Sequence, residues 1–154
     1  MAAIRVLIVD DAPQVRAGLR TLLPLLAEAD GETLEIAGEA CDGQEALRQV
    51  AALRPDVVCL DLEMPGLDGV ATTEAIKARW PGTRVVAFSA SGEADVIRQA
   101  KAAGVDEFIV KGAALDGLIR ALRDSGQGES GLAHAKTQRR EDMAETPCVL
   151  GGFA

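Results

Sequence analysis

The chain has 154 residues, which is long enough for one domain and a short appendage. It has 16 Lys and Arg against 24 Asp and Glu, which gives a formal net charge of −8. Because 48% of the residues are hydrophobic, a packed core is possible and disorder throughout is excluded. The negative charge argues against binding nucleic acid or anionic lipid through bulk electrostatics, since both need clustered Lys and Arg.

The cysteines and the single histidine reduce the number of possible functional classes further. Cys41, Cys59 and Cys148 are irregularly spaced and predict neither a disulfide framework nor a zinc site. Cys59 lies in an apolar run, where a buried thiol is expected. His134 lies in a polar stretch, which makes Ser-His-Asp and Cys-His enzymes poor candidates. The sequence has no apolar run as long as a membrane-spanning helix, and acidic residues occur too early in MAAIRVLIVDD for a secretory signal. We therefore expect a cytoplasmic protein.

Five short apolar runs alternate with helical patterns along the chain. Such runs are typical of strands in a parallel sheet that helices cover on both faces. The alternation predicts a doubly wound α/β domain. The predicted strands are Ile4–Val9, Leu34–Ala40, Val57–Leu60, Val85–Phe88 and Phe108–Val110.

Apolar residues on one face predict a first helix from about Val15 to Leu26, which Pro24 should kink or shorten. Asp42 and Glu45 resemble a capping box that opens the second helix. A fourth helix, about Glu93 to Ala103, is rich in Ala and is the most weakly anchored element.

The sequence changes character after the last helical pattern. From Ser125 onward it has scattered Gly, mixed charge and no sustained periodicity. We therefore predict a folded domain over residues 1–124 and a flexible tail over residues 125–154.

Polar residues follow all five predicted strands and would gather at one edge of the sheet, where ligands bind in this architecture. Asp42, after the second strand, is expected only to cap its helix. In the flavodoxin-like order 2-1-3-4-5 the first and third strands are neighbours, which would crowd three carboxylates into one pocket. A hard cation relieves such repulsion, and Mg²⁺ fits best. A hydroxyl and an ammonium nearby suit the oxygens of a tetrahedral anion, which predicts phosphoryl transfer to Asp61. The residues are Asp10, Asp11, Asp61, Ser89 and Lys111.

Each of these residues alone has a simpler explanation. Acidic residues after a strand usually cap a helix, and a Ser or Lys there is usually solvated. Their occurrence together, at the ends of different strands of one sheet, favours a shared site.

Four segments, VLIVDD, DVVCLDLEMPGLDG, VVAFSAS and DEFIVKG, resemble the receiver domain of two-component response regulators, over about residues 4 to 124. The resemblance implies that Asp61 is the phosphoacceptor. It also implies that Mg²⁺ is bound by Asp10, Asp11, Asp61 and the backbone carbonyl of Glu63.

The same resemblance implies a conformational switch. Ser89 would follow the phosphoryl group, Lys111 would be its counter-charge, and the Phe108 side chain would report the state. Ala90 is small and would leave the phosphoryl group accessible. Gly112 follows Lys111 where many receivers have Pro, a variant similar to NarL-like receivers that are normally fused to a helix-turn-helix output of the LuxR type.

The expected function is that of a single-domain response regulator. It would accept phosphate from a histidine kinase or phosphotransfer protein, catalyse only its own phosphotransfer and dephosphorylation, and signal to an unidentified downstream protein without binding DNA. A homodimer through the fourth helix, fifth strand and fifth helix is one candidate assembly.

Three alternative functions compete with this one. The first is the receiver part of a transcription factor whose DNA-binding domain is not in this chain. An HAD-type phosphatase would need an Asp two residues after its nucleophile, where Asp61 has Glu63 and Asp10 has Ala12. A bare flavodoxin-like cofactor binder would need a phosphate loop after the first strand, and none follows.

Overall fold

Five parallel strands form one sheet in the order β2-β1-β3-β4-β5. The computed structural model describes residues 3–64, 68–112 and 115–127. Each predicted strand is present, and β4 and β5 begin one residue earlier than expected. The strands are β1 (Ile4–Val9), β2 (Leu34–Ala40), β3 (Val57–Leu60), β4 (Arg84–Ser89) and β5 (Glu107–Val110).

Five helices alternate with the strands and cover both faces of the sheet. The predicted flavodoxin-like α/β fold is therefore confirmed. The helices are α1 (Pro13–Ala29), α2 (Gly43–Leu53), α3 (Gly69–Arg79), α4 (Ala94–Ala103) and α5 (Leu115–Gln127).

The strands divide their side chains between two hydrophobic clusters. Successive side chains of a strand point to opposite faces, so Ile8 packs with α1 and α5 while Leu7 packs with α2 and α3. On the first face, α1 contributes Leu23 and α5 contributes Leu122, both fully buried. The sheet is thus held from both sides, and its carboxyl edge stays open for polar side chains.

Helix α1 does not end at Pro24, so of the two effects expected of this proline, a kink or a shorter helix, the shorter helix is wrong. The helix continues to Ala29, because Leu19, Leu23 and Ala27 form a buried face on both sides of the proline. This burial offsets the backbone hydrogen bond that Pro24 cannot donate.

Helices α2 and α4 have the predicted starts. Asp42 caps α2 by accepting a hydrogen bond from the Glu45 N–H at 2.8 Å, and the Glu45 carboxylate accepts one from the Cys41 N–H. Helix α4 starts after Glu93, and its buried side chains are Ala100 and Ala103.

The predicted domain boundary at residue 124 falls inside α5. From residue 128 onward the predicted tail lies outside the described residues, together with His134 and Cys148. None of the helices within the described ranges has the length and apolar character needed to cross a bilayer.

Candidate functional site

Three carboxylates converge at the carboxyl edge of the sheet. Asp10 and Asp61 directly follow the paired strands β1 and β3, and Asp11 is next to Asp10. One oxygen from each of the three carboxylates lies within 4.8 Å of the others. Asp10 and Asp61 are buried and Asp11 is exposed. The convergence predicted from the strand ends is present.

Asp10 is held at every polar atom. Its N–H donates to the Ala40 carbonyl, and its Oδ1 accepts from the Ala12 N–H at 2.9 Å. Its Oδ2 accepts from Lys111 Nζ at 2.8 Å, and its carbonyl accepts from Arg16 Nη1 at 2.6 Å. The position of this carboxylate is therefore fixed by groups from α1, β2 and the end of β5.

Asp61 is fixed at one oxygen and faces a cation at the other. Its Oδ1 accepts from the Glu63 N–H at 2.9 Å, and its Oδ2 lies 3.5 Å from Lys111 Nζ. Burial raises the pKa of the Asp61 carboxyl, and the nearby charge of Asp10 acts in the same direction. The Glu63 N–H and Lys111 oppose this rise, so they stabilise the ionised form.

Lys111 brings a single positive charge to two carboxylates. Its N–H donates to the Ser89 carbonyl at 2.7 Å, which fixes the residue beside the end of β4. Burial lowers the pKa of Lys111, but the hydrogen bond to Asp10 and the charges of Asp61 and Asp10 outweigh burial and leave the pKa above its ordinary value. The ammonium therefore stays protonated at neutral pH.

The other four predicted site residues lie on β4, on β5 or in the loops that follow β3 and β4. Ser89 is the last residue of β4, and its buried hydroxyl accepts from the Ser91 N–H at 3.2 Å. Ala90 is exposed, Phe108 lies in β5 half-buried against the α2 and α3 cluster, and Glu63 is exposed.

The Met64 side chain, directly after Glu63, is buried against the α2 and α3 cluster. Residues 65–67 lie outside the described residues.

The buried thiol of Cys59 is not part of this chemistry. It lies in β3, and burial raises its pKa to about 12, so it stays a thiol and packs as an apolar group. This agrees with the prediction.

The donor set suits a hard divalent cation. Carboxylate oxygens are the ligands that Mg²⁺ prefers, and an exposed ligand such as Asp11 leaves room for the waters that Mg²⁺ retains. The three carboxylates exceed the single ammonium by two negative charges, so a cation would relieve repulsion.

Sequence reasoning missed Arg16. Its guanidinium donates to the Asp10 carbonyl and to Glu39 Oε1 at 3.2 Å, and Glu39 also pairs with Arg20. A bond to a main-chain carbonyl leaves no residue-type pattern. The one available signal was an Arg one helical turn after the first residue of α1, on the side that faces the acidic corner.

The fold and the site together define a doubly wound α/β domain with three carboxylates and a paired lysine at the carboxyl edge of its sheet. The sequence model of the response regulator receiver domain matches residues 6–123. The chain therefore belongs to the response regulator receiver family.

Curated relatives include the nitrate/nitrite response regulator NarL of Escherichia coli, 30% identical over 86% of this chain and 59% of that protein. The response regulator GacA of Pseudomonas viridiflava is 37% identical over 78% of this chain and 54% of that protein. This chain thus spans little more than half the length of these relatives.

Solved structures show the same fold. The receiver domain of NarL from Mycobacterium tuberculosis has a TM-score of 0.73 and 32% identity, covering 84% of this chain and all of that chain. CheY from Borrelia burgdorferi, in a complex with CheX, BeF₃ and Mg²⁺, has a TM-score of 0.68 and 26% identity, covering 82% of this chain and 90% of that chain.

Proposed function

We propose that this receiver domain accepts a phosphoryl group on Asp61, from a histidine kinase or phosphotransfer protein, and passes the signal on by protein contact. The observation that carries the proposal is the position of Lys111 Nζ, 2.8 Å from Asp10 and 3.5 Å from Asp61. This ammonium is a fixed cation beside Asp61, a carboxylate buried at the end of a central strand. Within the described ranges, no main-chain N–H donates to Asp61 Oδ2.

The transfer is a displacement at phosphorus. Asp61 Oδ2 forms the new P–O bond while the P–N bond of the donor's phosphohistidine breaks. The departing imidazole nitrogen keeps the electron pair of that bond and takes up a proton. Lys111 then offsets the charge on the phosphoryl oxygens, and the Glu63 N–H continues to hold Oδ1.

Mg²⁺ would be bound by Asp10, Asp11, Asp61 and the backbone carbonyl of Glu63, and when bound it supplies positive charge to the phosphoryl oxygens. The acidic cluster supports this assignment because its oxygens approach within 4.8 Å. The presence of BeF₃ and Mg²⁺ in the complex that contains Borrelia CheY is consistent with it.

The response to phosphorylation would begin at Ser89 and Phe108. The Ser89 hydroxyl is buried, and its hydrogen bond from the Ser91 N–H is the contact it would give up on turning toward a phosphoryl oxygen. Phe108 lies on β5, next to β4, and would turn into the space that Ser89 leaves. Ala90 would keep the phosphoryl group accessible, and the α4, β5 and α5 face would contact a downstream protein or a second copy. This signalling would take place in the cytoplasm.

Mass spectrometry after treatment with acetyl phosphate and Mg²⁺ tests the proposal. The wild type should gain one phosphoryl group that is labile to alkali and hydroxylamine, and Asp61→Ala should gain none. Asp42→Ala, which removes another acid at the same edge of the sheet, is the matched control and should label. Undiminished labelling of Asp61→Ala would refute Asp61 as the acceptor.

The second candidate is the receiver part of a longer transcription factor. It is favoured by length, because the chain spans only 54–59% of the relatives GacA and NarL. A gel shift of the full-length gene product with genomic DNA fragments separates the two, because only a protein that carries a DNA-binding domain should shift them. This chain alone, with a net charge of −8, is the negative control.

A further inference from the structure

Asp11 is the one carboxylate of the cluster whose side chain is exposed. Among the described residues, no group donates a hydrogen bond to its carboxylate. Asp10 and Asp61, by contrast, are held by Ala12 N–H, Lys111 and Glu63 N–H. The direction of the Asp11 side chain therefore depends on the main chain at the Asp10–Asp11 corner.

Arg16, in helix α1, holds the Asp10–Asp11 corner in place. The Asp10 carbonyl belongs to the peptide bond that joins Asp10 to Asp11, and Arg16 Nη1 donates to it at 2.6 Å. The same guanidinium donates through Nε to Glu39 Oε1 at 3.2 Å, and the Arg16 side chain is only 20% exposed. A planar guanidinium held at two edges has little freedom, so it fixes the peptide that it contacts.

We propose that Arg16 is a positioning residue for the metal ligand Asp11, acting through the Asp10–Asp11 peptide; the inference rests on the proposed function. Arg16 touches neither the metal-binding oxygens nor the phosphoacceptor in the described contacts. Its action is to hold the corner so that Asp11 enters the site together with Asp10 and Asp61.

The direction in which the Mg²⁺ affinity changes when Arg16 is replaced distinguishes positioning from simple electrostatics. Removing a nearby positive charge would strengthen the binding of a cation by the acidic cluster, and release of Glu39 from Arg16 would act in the same direction. Loss of positioning weakens metal binding instead, and outer contacts of this kind are typically worth about 10-fold or more in metal affinity. Weaker binding after loss of a positive charge is therefore the signature of positioning.

The test uses Arg16→Gln with Arg20→Gln as the matched control. Arg20 also pairs with Glu39 but is 52% exposed, and its described contacts do not include Asp10. The apparent Kd for Mg²⁺ is obtained from the rise in the free energy of unfolding in urea across a series of Mg²⁺ concentrations. We expect a Kd about 10-fold higher for Arg16→Gln and a wild-type Kd for Arg20→Gln.

A second readout is the rate of labelling by acetyl phosphate as a function of Mg²⁺. The Mg²⁺ concentration at half-maximal rate should rise for Arg16→Gln, while the rate at saturating Mg²⁺ returns to that of the wild type. If Arg16→Gln does not fold, Arg16→Lys takes its place. It keeps the charge but cannot donate from two edges of one plane, so the same rise in Kd is expected.

An Arg16 variant that binds Mg²⁺ as tightly as the wild type, or more tightly, overturns the inference. An equal loss in Arg20→Gln also overturns it, because the effect would then belong to the Glu39 ion pairs. A wild type that Mg²⁺ does not stabilise would overturn the proposed function together with this inference.

Discussion

Replacing Asp61 with Asn should stabilise the metal-free protein. At an effective dielectric constant of about 20, two unit charges at 4.8 Å, the limit within which the three carboxylate oxygens lie, repel by about 3.5 kcal/mol. Asp61 has two such neighbours, Asp10 and Asp11, and one attractive partner, Lys111 at 3.5 Å, worth about 4.7 kcal/mol on the same scale. The repulsions exceed the attraction, so the neutral variant should be more stable by about 2 kcal/mol.

The raised pKa of Asp61 also predicts that Asp61→Asn is more stable than the wild type. A carboxyl whose folded pKa is above its unfolded value destabilises the fold once it ionises, and the effect is lost as the pH falls and the group is protonated. The gain in Asp61→Asn should therefore be larger at neutral pH than in mildly acidic buffer.

Urea unfolding followed by far-UV circular dichroism in the presence of a chelator measures the difference. Glu74→Gln is the matched control, because it removes an acid from an exposed position of α3 and should change stability by less than about 0.5 kcal/mol. Mg²⁺ at about 100 times its Kd should add roughly 2.7 kcal/mol to the wild type and less to Asp61→Asn. An Asp61→Asn protein less stable than the wild type in chelator would show that the carboxylates do not repel as calculated.

Two further predictions concern the neighbours of Asp61. Lys111→Met should destabilise the chelated protein by about 3 kcal/mol, opposite in sign to Asp61→Asn, because it leaves buried Asp10 without its cation; urea unfolding measures this, and a stabilised Lys111→Met would contradict it. Ser89→Ala should still gain a phosphoryl group but lose most of the phosphorylation-dependent change in hydrogen exchange over residues 89–112; an unchanged exchange response would remove Ser89 from the switch.

The strands could be predicted to within a residue because most of them are short apolar runs; β3 and β4, for example, each contain four consecutive apolar residues between polar ones. The residue range of helix α3 was not predicted from the sequence, although the alternation of strands and helices implied a helix between β3 and β4. Its buried positions include Thr72 and Thr73, whose hydroxyls donate to the carbonyls of Asp68 and Gly69, so no apolar stripe marks them. Asp68, which caps the helix through the Ala71 N–H, was the usable signal.

The site was predictable as far as topology alone determines it. Parallel strands place their carboxyl ends at one edge, so the order of strands was enough to bring Asp10 and Asp61 together. The sharing of Lys111 between these two carboxylates depends on a distance that no spacing encodes. The contact of Arg16 with a main-chain carbonyl is likewise visible only in three dimensions.

The packing of the helices around this site indicates which element can respond to it. Helix α5 is anchored by Leu118, Ile119 and Leu122, all buried, whereas α4 buries only Ala100 and Ala103 among its described residues. A buried Leu or Ile side chain is worth about 1.5–3 kcal/mol and an Ala much less, so displacing α4 costs far less than displacing α5. Elements with little buried apolar area lie at the low-stability end of a fold. A change at the end of β4 should therefore move α4 first, while α5 keeps its place on the sheet.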